Sequence, residues 1–267
     1  MAAAKLPANA IIGEAYGFVF ANLRPLARAA AVPFAVTTLG LLRSILAERE
    51  GGMATWAVVL WMVIEFGAAV PFQTQVYRFA TGLTADRVPQ LGWPWGRRET
   101  AYVLNALGLM ALSIAAAALA AALVAGFALP SGGTREEQLA RLGMVILFVG
   151  VPVALLIAYA SARICLVFPA AAVGHPTNWR ALWRATEGNG WRIFWIMAIA
   201  ILPWTMAGGF IQTLAGLMPG VVALIVLGTA ANIVSLIGMA VPATALGLAY
   251  RHLAPGVGQP TRLSLLA

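Results

Sequence analysis

One carboxylate stands inside an apolar stretch. Glu65 sits in the run WMVIEFGAAVP, from Trp61 to Pro71, within a segment long enough to cross a bilayer. An acidic group at that depth costs a few kcal/mol unless it is protonated or paired, and such residues mark ion or proton pathways. Two readings stand. Glu65 is a ligand or proton site, or it is structural glue, a protonated carboxyl bonded to Asn232, Ser235 or Thr205 across helices. Little else in the sequence offers chemistry. His175, His252 and Cys165 are isolated, so neither a metal site nor an intramolecular disulfide is expected. There is no nucleophile elbow, no His-Glu-x-x-His pair, no phosphate-cradling glycine loop and no dinucleotide fingerprint. An enzyme is the weakest function class, and no cofactor is called for.

A second group of residues suits lipid headgroups. From Thr177 to Glu187 the spacing predicts a short amphipathic helix, with Trp179, Leu182, Trp183 and Thr186 on one face and Arg180, Arg184 and Glu187 opposite. Thr177 or Asn178 can cap its start and Gly188 its end. An indole at headgroup level keeps its ring in the apolar zone and its N–H in the polar one. Trp179, Arg180, Trp183 and Arg184 therefore form a candidate lipid-headgroup or partner interface, with an ordinary interfacial anchor as the plainer reading. Arg78, Arg163 and Arg251, each at the end of an apolar run, join the candidates.

The elements that carry these residues follow from composition. The 267 residues are 61% apolar and only 10% charged, with a mean hydropathy of +0.87. A soluble domain averages about 45–50% apolar and about 25% charged, so a soluble fold is excluded. Six stretches are long enough to span a bilayer as helices, near Leu26–Leu46, Met53–Ala80, Tyr102–Ala128, Leu142–Ala162, Trp191–Met218 and Val221–Tyr250. The runs are continuous and lack the alternation of a membrane barrel. The fold class is an all-α integral membrane protein, read as a single transmembrane domain over residues 1–267: an interfacial N-terminal helix (1–25), a six-helix bundle (26–250) and a cytoplasmic tail (251–267).

The first residues lack the pattern of a cleavable signal. Instead Ala10–Arg24 places Ile12, Tyr16, Val19 and Leu23 on one face and Glu14, Arg24 and Arg28 on the other. Such a helix either lies in the interface or packs on the bundle as an extension of the first span. The third span contains ALSIAAAALAAALVAG, Ala111 to Gly126, whose small side chains suit close helix packing within the bundle or against a protein partner or second copy.

The chain carries 17 Lys+Arg against 9 Asp+Glu, a net charge of +8. The cations lie between apolar spans, where they set topology and meet anionic lipid rather than nucleic acid. Thirteen fall on one side of the predicted spans and four, Arg43, Arg49, Arg135 and Arg141, on the other. Membrane lipids are the expected partners. The expected location is a bacterial inner membrane, with both termini cytoplasmic.

The second, fourth and sixth spans share a pattern. Each has a Gly shortly before a Val-Pro pair (Pro71, Pro152, Pro242) and ends at or near a Tyr, with Arg78, Arg163 and Arg251 at the boundary. Pro33 and Pro203 recur in the first and fifth spans, while the third has Ile114 where a proline would fall. Pro and Gly are common in membrane helices, so composition alone can produce some of this. The alignment still favours three two-helix repeats, whose kinks at one depth would splay the bundle and open a cavity.

Within the third unit, Ser161 to Pro203 carries Arg163, Phe168-Pro169-Ala170, Trp183-Arg184, the turn Gly188-Asn189-Gly190 and Trp191-Arg192. This stretch resembles poorly characterised bacterial multi-pass proteins similar to the membrane domain fused to some glycerophosphodiester phosphodiesterases. The resemblance implies a membrane fold. It transfers no catalytic residue, because the hydrolytic part of that family is a separate soluble domain.

Two functions fit these observations. One is a non-enzymatic accessory, scaffold or lipid-interacting subunit; the other is a small transporter or channel for a hydrophobic or lipid-like ligand that uses Glu65. The arginine asymmetry makes a direct prediction. A reporter active only in the periplasm, fused after Ala267, should be silent, and activity there would reverse the orientation.

Overall fold

The structure is a computed structural model and describes residues 5–49, 54–82, 95–128, 134–218 and 220–253. Arg87, Trp93, Arg262 and the tail beyond Leu253 lie outside the described residues. The described elements are helices: α1 (Ala8–Ala21), α2 (Leu23–Ala29), α3 (Ala31–Arg49), α4 (Thr55–Thr81), α5 (Arg97–Ala128), α6 (Arg135–Val145), α7 (Val151–Ile164), α8 (Val167–Val173), α9 (Trp179–Ala185), α10 (Gly190–Leu217) and α11 (Val221–Leu253). Five stretches are long and apolar enough to cross a membrane, or six if the bent pair α2–α3 counts as one. The chain is a multi-pass helical membrane protein.

The prolines explain where this departs from a row of straight rods. Leu26–Leu46 is expected as one helix, yet α2 and α3 meet at 60°. Pro33 has no N–H for the carbonyl of Ala29, and its ring crowds that carbonyl, so the helix breaks there. The fourth span begins earlier than expected, at Arg135, because Thr134 and Glu137 form a reciprocal cap. It then passes through a π-helical turn, Ile146–Gly150, just before Pro152. The wider turn accommodates the amide that Pro152 cannot supply to the carbonyl of Phe148. Pro71, Pro203 and Pro242 lie inside α4, α10 and α11.

Consecutive helices pair as α3–α4, α5 with α6–α7, and α10–α11. Neighbouring pairs touch through α4–α5 and α7–α10, and α11 closes the ring onto α3. Glycines set the closest approaches. A Cβ on Gly228 would stand 2.5 Å from Leu41 Cδ2, one on Gly238 2.8 Å from Trp204 Cβ, and one on Gly247 2.9 Å from Ala80 Cβ.

The buried core gathers at one end of this ring. Val70, Phe72 and Val76 of α4, Ile193 and Ile196 of α10, and Val241 to Tyr250 of α11 are buried there. α8 fills the middle: Val167 and Pro169 to Val173 are buried against α4, α5 and α11. Toward the other end the same helices expose large apolar side chains, among them Leu60, Leu119, Phe148, Phe210 and Val226.

α1 belongs to the packed end. It starts two residues before the expected Ala10, and its buried stripe is Ile11, Ala15 and Val19. The expected face of Ile12, Tyr16, Val19 and Leu23 is rotated by about one residue. The Leu6 N–H donates to Asn189 Oδ1 at 2.9 Å, Arg192 donates to the Leu6 carbonyl, and Tyr16 Oη donates to the Ile199 carbonyl at 3.3 Å. The helix therefore runs beside the first half of α10 as part of the bundle.

Gly247 tests this packing. Gly247→Leu should cost about 1–3 kcal/mol, because α4 and α11 cannot separate without disturbing the core. Gly209→Ala, in α10 with open space around its Cβ, should be neutral or stabilising by up to about 1 kcal/mol through helix propensity. Thermal unfolding in detergent compares the two.

Candidate functional site

α9 is a seven-residue helix, too short to stand without a cap and tertiary support. Asn178 caps it, with Oδ1 accepting the N–H groups of Arg180 at 3.0 Å and Ala181 at 3.2 Å. Of the two capping candidates, Thr177 and Asn178, the structure uses Asn178. Gly188 lies just past the helix in the left-handed region, with φ of 74°. Leu182 and Thr186 are buried and Trp179 is half-buried, and Arg180, Arg184 and Glu187 are exposed, as the spacing predicts, but Trp183 of the predicted inner face is exposed as well.

Two side chains fasten α9 to the membrane helices. Trp179 Nε1 donates to Asn105 Oδ1 of α5 at 2.8 Å, while Asn105 Nδ2 donates to the Ala101 carbonyl at 2.7 Å. Gly108, one turn along, leaves room for the indole, which lies 3.2 Å from where its Cβ would be. From α7, Arg163 Nε donates to Thr186 Oγ1 at 2.9 Å and its terminal nitrogen to the Trp183 carbonyl at 2.6 Å. The same guanidinium lies 3.8 Å from the centroid of the Trp183 ring. Planar stacking together with two hydrogen bonds is an arginine property that lysine would not reproduce.

Between these fastenings lies an open notch of about 370 Å³, lined by Ile164, Trp179, Arg180, Trp183 and Arg184. Its walls are two indoles and its rim carries two exposed guanidinium groups. Arg163 supports the notch from behind and is committed to protein partners. Arg78 and Arg251 do not line it. Arg78 is half-buried in the last turn of α4, and Arg251 at the end of α11 pairs with Glu14 of α1 at 3.2 Å. That pair is half exposed on both sides, where an ion pair contributes about 0–1 kcal/mol.

Glu65 lies elsewhere. Its Oε1 accepts the Trp61 indole N–H, one turn earlier in α4, at 2.9 Å. Arg43 of α3 sits over the same indole at 5.4 Å and reaches the Ala57 carbonyl at 3.5 Å. Gly40 of α3 leaves the space that Trp61 and Glu65 occupy; a Cβ there would run into Trp61 Nε1 and stand 2.7 Å from Glu65 Oε1. The partners expected across the bundle are not used. Thr205 bonds carbonyls of its own helix, and Asn232 Nδ2 is buried with no partner among the described residues.

Sequence reasoning missed Glu99 and the contact that Asn105 makes with Trp179. Glu99 is buried at the start of α5, where it accepts the Gly96 N–H at 2.9 Å and the Thr74 hydroxyl at 3.1 Å. The signal was present: Gly-x-x-Glu before an apolar run is one arm of a helix-start cap, and an Asn within an apolar helix needs a partner. His175 Nδ1 lies 3.3 Å from Tyr250 Oη. Among the described residues no group of three His, Cys, Asp or Glu is placed to hold a metal ion.

No family model, curated protein or solved structure matches this chain. The functional reading rests on the geometry above.

Glu65→Gln keeps an acceptor for the Trp61 N–H and should leave stability within about 0.5 kcal/mol. Glu65→Ala leaves that donor unpaired and should cost about 1–3 kcal/mol. Unfolding midpoints in detergent read both. A Gln variant that folds yet loses a pH-dependent function would assign Glu65 a titrating role.

Proposed function

We propose that this chain is a non-enzymatic lipid-interacting subunit of a bacterial inner membrane, with both termini cytoplasmic, that engages anionic headgroups through the α9 notch and serves as an accessory or scaffold for a protein partner or second copy. The observation that carries this reading is the notch itself. Trp179 and Trp183 give an apolar wall, and Arg180 and Arg184 line the same space with charge. Tryptophan favours the headgroup layer, and each arginine near an anionic surface contributes about 1 kcal/mol.

The rival reading, transport of a hydrophobic ligand through Glu65, draws less support. Its carboxylate is engaged by Trp61 of its own helix, which suits structural glue better than a relay.

Lipid-dependent thermal stability provides the test, because a ligand that binds the folded state raises its melting temperature. Phosphatidylglycerol added to the protein in neutral detergent should raise Tm, and Arg180→Gln/Arg184→Gln should weaken that gain by up to about 2 kcal/mol. Phosphatidylcholine should give a smaller shift in both forms. An equal response of wild type and double variant to phosphatidylglycerol would remove the notch from the proposal.

A further inference from the structure

Beneath the bend between α2 and α3 lies an apolar cavity of about 450 Å³. Leu26 and Ala27 of α2, Phe34 of α3, Phe72 of α4, and Leu236 and Ala240 of α11 form much of its wall. It falls beside three helix prolines: Phe34 follows Pro33, Phe72 follows Pro71, and Ala240 is two residues before Pro242. A proline inside a helix bends the backbone away from its ideal path, and the 60° turn at Ala30 swings α2 over the gap. The volume lies within the range of about 300–1,000 Å³ typical of small-molecule sites. Close packing is the rule in protein interiors, so a cavity of this size with no polar wall has room for an apolar occupant.

The surroundings say which occupant. α2 also carries Arg24 and Arg28, one turn apart, both exposed and without a carboxylate partner among the described residues. α2 and α3 qualify as a membrane span only when taken together, bent by 60°. α2 is the end of that bent span on the arginine-rich side predicted from the sequence, which puts Arg24 and Arg28 toward the headgroups. The apolar cavity thus lies against the same short helix that carries the two exposed guanidinium groups.

We propose that this cavity is a specific site for one anionic phospholipid, with an acyl chain beneath α2 and the phosphate on Arg24 and Arg28. The proposal deepens the lipid-binding reading but uses a site separate from the α9 notch.

Native mass spectrometry of the full chain, released from nanodiscs of equimolar phosphatidylglycerol and phosphatidylethanolamine, tests it. The wild type should retain one phosphatidylglycerol through detergent exchange. Ala27→Trp, which fills the cavity from an exposed position of α2, should lose the retained lipid. Arg24→Gln/Arg28→Gln alters only exposed side chains and should lower the preference for phosphatidylglycerol about tenfold. Arg180→Gln/Arg184→Gln should leave the retained lipid in place. If cavity variants lose lipid while the notch variant still responds fully to phosphatidylglycerol in the Tm assay, the notch fails and the cavity site stands. An unchanged headgroup preference in Arg24→Gln/Arg28→Gln overturns the cavity site, as does full lipid retention in folded Ala27→Trp or retention of a neutral lipid instead.

Discussion

Apolar side chains gain by clustering only where they would otherwise meet water. Within a bilayer the acyl chains are as apolar as leucine, so that driving force between helices vanishes. The shape of this protein follows from that difference. At the arginine-rich end α1, α8 and the ends of α4, α10 and α11 are pressed into a common core. Farther along, Phe148 of the fourth span, Leu217 of α10 and Val222 of α11 turn outward, each more than 70% exposed. Lipid can cover those faces as well as protein can. What holds the splayed part together is shape: Gly228 receives Leu41, and Gly238 receives Trp204.

Polar groups face the converse constraint, since an unpaired donor or acceptor in hydrocarbon costs several kcal/mol. The chain answers mostly with partners close in sequence. The Thr37, Thr205 and Thr213 hydroxyls bond carbonyls three or four residues earlier. Trp61 and Glu65 are four apart. Near the packed end polar groups also reach across helices, as in Trp179 with Asn105, Arg163 with Thr186, and Thr74 with Glu99, and toward the other end Arg43 reaches the Ala57 carbonyl. Most of these long-range polar bonds fasten the packed end.

The sequence made the helical membrane fold legible because twenty-residue apolar runs admit few other structures. The α9 amphipathic face was equally readable, since Leu182 and Thr186 fall inward at helical spacing. The break at Ala30 was harder, because Pro33 inside an apolar run signals either a kink or a stop, and packing against α4 and α11 decides between them. The stripe on α1 was misjudged by one residue because Ile11 and Ile12 are both apolar, so periodicity alone could not choose the buried one. Glu65 illustrates a further limit. Its type and depth advertised a buried polar contact, but the partner was a tryptophan on its own helix, whose N–H is easily overlooked beside more obvious polar residues.

The pairing of α1 with α10 and α11 has a consequence for synthesis. Glu14 and Arg251 are 237 residues apart, and at about 5–20 residues per second a ribosome needs roughly ten to fifty seconds to cover that distance. Through that interval Ile11, Ala15 and Val19 have no final partner, because the surface they bind has not been made. The amphipathic character of the segment gives it a temporary home at the membrane surface. A chain truncated before the last hairpin would keep that stripe uncovered, a mark by which quality control could tell an unfinished molecule from a complete one.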